Sequence, residues 1–296
     1  MTFTLRGRRR LPAALLLCGL VVAGGVFALN RQGQEAIAVG PPVSAQDKVL
    51  LRGAEERLIR ECMSAAGFTY YEKPRPPKSG EPDFPYVVTD VAWARANGYG
   101  VKQSAPPADP TAQYFAGLSK DQQDAWRTTL VGSGKQISVE LAPGERLSVS
   151  DKGCIASARR TLYGDLPGWF KARRTVDNLE FLVQDKVRRD QRYGVAMADW
   201  AGCVRGRGYD AGGPGALREI VAQRIKGRAA DVVRAAELDA AVVEATCANS
   251  TSLAATLLAL EPEHRASVTA DHRRELAELN VFEQTALPRA RSALRQ

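Results

Sequence analysis

The chain has 296 residues, a formal net charge of +8 and 45% hydrophobic residues, enough for one large domain or two smaller ones with hydrophobic cores. Half of that charge comes from four arginines within residues 1–10, so residues 31–296 carry only +4. Acidic and basic residues alternate along the predicted helices, which indicates solvated helix faces and excludes the continuous basic surface of a nucleic-acid-binding protein.

The first 30 residues have the pattern of an export signal or signal anchor. The four arginines precede an uncharged run at residues 11–29. This run is longer than the apolar core of an ordinary cleaved signal and approaches the length of a membrane-spanning helix. The basic flank predicts that residues 1–10 stay in the cytoplasm and that the rest of the chain is translocated. We therefore predict an extracytoplasmic protein.

Two outcomes stay open for this segment. If it is not cleaved, residues 11–29 anchor the chain in the membrane, which is the interpretation we prefer. Val26 and Ala28 stand at the recognition positions of a cleavage site, so cleavage after Ala28 would instead give a secreted protein. Lipid attachment at Cys18 is disfavoured because Leu17 stands where a lipobox has a small residue.

The remaining cysteines predict disulfides. The translocated part contains an even number of them, at Cys62, Cys154, Cys203 and Cys247. An even set in an oxidising compartment is typical of two disulfide bonds. The spacings do not provide a metal-binding knuckle, and His264 and His272 lie in a charged C-terminal segment, so we predict no metal site and no cofactor.

The first half of the chain predicts short elements separated by proline-rich passages. Residues 31–45 are predicted to be a linker. A helix over residues 44–66 begins at a capping box and ends at Gly67. Further short helices are predicted at 90–97 and 119–130, and alternating apolar residues at 136–149 predict a β-hairpin.

The second half is predicted to be helical almost throughout. We expect helices at about 151–163, 168–183, 186–206, 215–227, 231–260 and 263–294. The last two should form a long antiparallel hairpin, with Pro262 in the first turn of the final helix and Pro288 breaking or kinking it. The predicted fold is mainly α, with a first helical unit at 46–166 that carries the β-hairpin and a second at 167–296.

A short motif occurs twice. Cys62 and Cys203 are each followed, after four residues, by a glycine and an aromatic residue. Each motif closes an amphipathic helix, and a left-handed glycine suits the position just after a helix end. One further cysteine follows each motif downstream. Of the three pairings that four cysteines allow, the repeat favours Cys62–Cys154 and Cys203–Cys247, with one disulfide in each unit.

These motifs also carry a resemblance. The relevant segments are residues 61–63, 67–68, 86–94, 98–100, 153–156, 158–160, 162–164, 200–203 and 208–209. Together they resemble an uncharacterised family of exported actinobacterial proteins with paired Cys-x4-Gly-aromatic motifs, over most of residues 50–290. One departure is Val204, where the family usually has Met. The resemblance implies an actinobacterial origin, export and paired cysteines, and it supplies no catalytic residue.

No catalytic motif is present, so candidate chemistry rests on two sets of residues. Four acids near loops or turns could act in pairs as a hydrolase does: Asp83, Asp90, Glu140 and Asp165. Four aromatic residues either form a candidate groove for a glycan or peptide or pack the proline-rich passage onto the helices: Phe84, Tyr86, Trp93 and Tyr99.

The leading functional hypothesis is a non-enzymatic binding or accessory module at the bacterial cell envelope, exported or membrane-tethered, with a protein or glycan partner. The alternative is a cell-envelope hydrolase that uses paired carboxylates. A third hypothesis is a homo-oligomer formed through the C-terminal helices.

Overall fold

A computed structural model describes residues 41–73, 82–99, 109–142 and 144–295. The predicted export segment at 1–30, most of the predicted linker and parts of both proline-rich passages lie outside these residues. The described part is 73% helical, with 11 helices and one two-stranded antiparallel sheet. None of these helices is both long enough and apolar enough for a membrane span. The predicted mainly α fold class is confirmed.

Within the described residues, one β-hairpin stands in the chain between four helices and the seven helices that follow it. The sheet consists of β1 (Gln136–Ala142) and β2 (Glu145–Ser150). The helices are α1 (Ala45–Ala65), α2 (Val91–Asn97), α3 (Pro110–Ala116), α4 (Lys120–Val131), α5 (Cys154–Tyr163), α6 (Leu166–Arg189), α7 (Gln191–Gly206), α8 (Pro214–Ile225), α9 (Ala230–Ser250), α10 (Leu253–Asp271) and α11 (Arg273–Arg295).

Side-chain caps explain where several helices begin. The Ser44 hydroxyl accepts a hydrogen bond from the backbone N–H of Asp47 at the start of α1. Ser119 and Gln122 form the predicted capping box of α4. Aspartates occupy the N-cap of α2, α3, α6 and α7, where they satisfy N–H groups that have no partner within the helix.

The predicted helix boundaries need correction in the C-terminal half. The predicted helices at 231–260 and 263–294 are three helices, and α6 continues past 183 until Asp190, which caps α7. The break at Thr251 is stabilised locally because both its N–H and its hydroxyl bond to the carbonyl of Cys247. Pro262 lies inside α10 and Pro288 inside α11. α3, in a stretch expected to be a loop, begins with Pro110 in its first turn, a position that proline tolerates.

The described residues belong to one compact unit, Ala38–Gln296, which contains two main hydrophobic clusters. One is built by α1, α5, α6, α11 and β1 and includes Leu51, Trp169 and Ala286. The other surrounds Trp200, which is fully buried, and draws on α7 to α10. The 24-residue helix α6 contributes to both, with Trp169 near one end and Val187 near the other.

Both disulfides have the predicted pairing. Cys62 is bonded to Cys154, and Cys203 to Cys247. The duplicated motif also has the same backbone geometry at both sites. Gly67 and Gly208 have φ values of 83° and 89°, and the N–H of the following aromatic residue bonds back five residues, to the carbonyl of Met63 or Val204. Each motif is therefore a glycine-terminated helix end of the Schellman type.

Candidate ligand-binding cleft

Four helices enclose a charged cleft. α1, α5, α6 and α11 contribute its walls, and its volume is about 620 Å³. This is within the range of small-molecule sites, which is roughly 300–1,000 Å³. The lining side chains are Lys48, Leu51, Arg52, Glu55, Glu56, Lys73, Arg159, Tyr163, Trp169, Arg173, Arg174, Asp177 and Glu283.

Helical periodicity brings these residues together. Lys48, Arg52 and Glu55 are spaced by four and three residues on α1, and Arg159 and Tyr163 by four on α5. Residues at such spacing share one face of a helix. α6 repeats the pattern with Trp169, Arg173 and Asp177. The same helices bury their apolar stripes in the core, so the cleft lies where the polar and apolar faces meet.

Ion pairs hold most of the charged groups in place. Nε of Arg159 lies 2.8 Å from a carboxylate oxygen of Glu55. Arg173 joins two acids, at 2.9 Å from Asp177 and 3.3 Å from Glu283. The Glu55–Arg159 pair joins α1 to α5 and the Arg173–Glu283 pair joins α6 to α11. These pairs reduce the side-chain entropy that remains to be lost on binding.

An aromatic stack forms part of the wall. The rings of Tyr163 and Trp169 are nearly parallel, with centroids 4.5 Å apart. The guanidinium of Arg159 lies 5.1 Å from the Trp169 ring centroid, within the range of a cation–π interaction. The stack therefore fixes an arginine as well as the two rings.

Burial shifts the pKa of three ionisable groups in the cleft, and it raises that of the Tyr163 hydroxyl. Glu283 is 6% exposed, and burial raises the pKa of its carboxyl, although Lys48 and Arg173 act in the opposite direction. Burial lowers the pKa of the Arg174 guanidinium, and the neighbouring charges of Arg159 and Arg173 add to that effect. Nε of Arg174 is buried and has no hydrogen-bond partner.

The four aromatic residues of the predicted groove do not all line one groove. Phe84 and Tyr86 line a second, shallower groove of about 390 Å³ beside Leu257 and Leu258 of α10. Trp93 packs edge-on against Phe84, with ring centroids 5.0 Å apart. The fourth, Tyr99, packs against the same small buried cluster as Phe84 and Trp93, and the guanidinium of Arg218 lies 4.9 Å from its ring centroid. For all four residues the groove hypothesis stays a prediction.

The four acids proposed for paired hydrolysis have other roles or stand apart. Asp90 and Asp165 are the N-caps of α2 and α6. Glu140 lies on the hairpin, 3.9 Å from Arg146, and Asp83 lines the shallow groove. Within the described ranges, histidine, cysteine and acidic residues do not form a cluster of three or more that could hold a metal ion.

Sequence reasoning missed the charged cleft. It interpreted the mixed charges of α1, such as Glu55 and Glu56, as a solvated helix face. A usable signal is present in the four-residue spacing of cations with aromatic residues on α5 and α6, namely Arg159 with Tyr163 and Trp169 with Arg173. That spacing indicates a helix face that carries both charged and aromatic side chains, but it does not predict which other helix faces pack against it.

Comparison with known protein families, with curated proteins and with solved structures finds no match to this chain.

Proposed function

We propose that this protein is an extracytoplasmic binding or accessory module of the bacterial cell envelope, and that its ligand occupies the charged cleft between α1, α5, α6 and α11. The observation that carries the proposal is the cleft itself. Its polar walls are held by ion pairs between helices, and its volume suits a small molecule or the end of a polymer.

Two features support a location outside the cytoplasm. Both disulfides are of the kind that persists in oxidising compartments. Residues 1–30 have the basic and apolar pattern of an export signal. A reporter enzyme that is active only after export, fused after Gln296, should be active when residues 1–30 are present and inactive when they are deleted. Equal reporter activity in the two fusions would contradict the proposed location.

Ligand selection tests the cleft directly. The full-length protein is incubated with the small-molecule fraction of actinobacterial envelope extracts and washed, and retained compounds are identified by mass spectrometry. A Lys48→Trp variant places a bulky ring at the cleft. Val49→Trp is the matched control, because Val49 is the next residue on α1, is 44% exposed and does not line the cleft.

The proposal expects a compound that wild type and Val49→Trp retain and Lys48→Trp does not. If every retained compound binds all three proteins equally, the cleft is not the binding site and the proposal is wrong.

One observation favours the hydrolase alternative. Asp177 and Glu283 bond to the same guanidinium, that of Arg173, and a buried carboxyl with a raised pKa is suited to act as a general acid. Arg173 occupies the space between the two acids, however, which favours binding over hydrolysis. Release of reducing sugar ends or new amines from envelope polymers, lost in Glu283→Gln, would establish the enzyme; the binding module should release neither.

A further inference from the structure

We propose that the cleft binds a small anionic ligand whose carboxylate or phosphate group is held by Lys48 and Arg52 of α1, with Arg174 of α6 as an additional donor. This inference rests on the proposed function, because it assumes that the cleft is the ligand site, and it adds the chemical class of the ligand.

The carboxylates of the cleft already have partners. Glu55 pairs with Arg159, and Glu56 accepts hydrogen bonds from the Tyr70 hydroxyl and from the backbone N–H of Lys73. The other two, Asp177 and Glu283, share Arg173. A cationic ligand would therefore have to displace an existing partner of these acids.

Two cations of the cleft have only a longer-range partner, because the charges of Lys48 and Arg52 both act on the Glu283 carboxyl. Among the described residues, the side chains of Lys48 and Arg52 make no hydrogen bond or ion pair. They are four residues apart on α1, so both ammonium and guanidinium groups project from the same helix face. Like charges at this spacing repel each other. Both side chains are exposed, and an anion between them would remove that repulsion.

A third donor lies unused on α6. Nε of Arg174 is buried without a hydrogen-bond partner, although NH1 of the same group lies 3.3 Å from Asp177. A buried N–H that makes no hydrogen bond is unfavourable, because it has lost its contact with water and gained no replacement. Because this nitrogen is closed to solvent, a ligand oxygen would satisfy it after a small shift of the guanidinium.

The overall charge of the cleft favours the same class. Six cationic side chains line it against four carboxylates, and a cleft lined by an excess of one charge concentrates ions of the opposite sign. The N–H donors of a guanidinium group match the spacing of the oxygens in a planar carboxylate or a tetrahedral phosphate.

The test is isothermal titration calorimetry of the full-length protein with three probes. Succinate and inorganic phosphate represent the two anionic groups, and succinamide has the size of succinate without its charge. We expect succinate or phosphate to bind, the affinity to fall as salt is raised, and succinamide not to bind. Whichever anion binds more tightly identifies the group that the cleft prefers.

Paired variants locate the site. Lys48→Gln with Arg52→Gln should weaken anion binding by about tenfold or more, the loss expected for at least one charge-assisted hydrogen bond. Lys226→Gln with Arg228→Gln removes the same charge from exposed residues just after α8 and should leave affinity unchanged. Equal weakening by both pairs, or binding of succinamide as tight as that of succinate, would overturn the proposal.

Failure of this inference and failure of the proposed function differ in outcome. If neither anion binds but an envelope compound is still retained by wild type and lost in Lys48→Trp, the cleft takes an uncharged ligand and only the anionic class is wrong. If neither anion binds and no compound depends on the cleft, both proposals are wrong.

Discussion

Removing the disulfides should cost a large part of the stability of this protein. In the chain-entropy account, a disulfide stabilises by restricting the unfolded chain, and the effect grows with the length of the loop that it closes. The two bonds join residues 92 and 44 positions apart. These separations correspond to about 4.6 kcal/mol for Cys62–Cys154 and about 4.0 kcal/mol for Cys203–Cys247.

The two loops do not overlap in the chain, so their effects should add to about 8–9 kcal/mol. This sum approaches the whole net stability of a typical domain, about 5–15 kcal/mol. We therefore expect either double variant, Cys62→Ala with Cys154→Ala or Cys203→Ala with Cys247→Ala, to remain folded with a reduced unfolding free energy. The fully reduced protein should be marginal or unfolded.

Urea denaturation of Ala38–Gln296, followed by far-ultraviolet circular dichroism, measures these differences with and without a reductant. Reductant should lower the stability of each double variant further, because one disulfide remains, and should have no effect when all four cysteines are alanine. A loss below about 1 kcal/mol for both double variants would refute the reasoning, since the unfolded chain would then gain little freedom.

Three further predictions concern local features. Gly202 lies inside α7 with open space around it, so Gly202→Ala should raise the unfolding free energy by about 0.5–1 kcal/mol. Gly208 has a positive φ, so Gly208→Ala should lower the unfolding free energy by about 1–2 kcal/mol. Urea denaturation measures both changes. For Glu283, whose folded pKa is raised by burial, wild type should lose stability relative to Glu283→Gln as pH rises above about 4.3. For Asp190, whose folded pKa is lowered by its bonds to Arg192, the advantage of wild type over Asp190→Asn should be full above about pH 3.9 and disappear on acidification. Reversed pH trends in thermal melts would contradict either assignment.

Local features of this protein were predictable because their causes are local. The caps at Ser44 and Ser119, the hairpin and the two glycine-terminated helix ends depend on residues within one or two turns of each other. The disulfide pairing was also predictable, because the repeat places Cys62 and Cys203 in equivalent positions.

The boundaries of the C-terminal helices were not predictable from the sequence, because they depend on competing local signals. Thr251 ends α9 by bonding to the carbonyl of Cys247, an interaction that continuous helical periodicity conceals. Pro262 is a strong helix-ending signal, yet α10 continues through it beside Leu258, which is 81% exposed. The carbonyl that loses its N–H partner is that of Leu258, where water can replace the missing bond.

By itself, the sequence determined the helical class, the helix caps, the hairpin and the paired cysteines of this protein. Only the tertiary structure decided that charged faces of α1, α5, α6 and α11 meet in one cleft, where Glu283 lies beside Arg173 although 110 positions separate them. Periodicity specifies which residues share a face of one helix, whereas the packing of the whole core determines which faces come together.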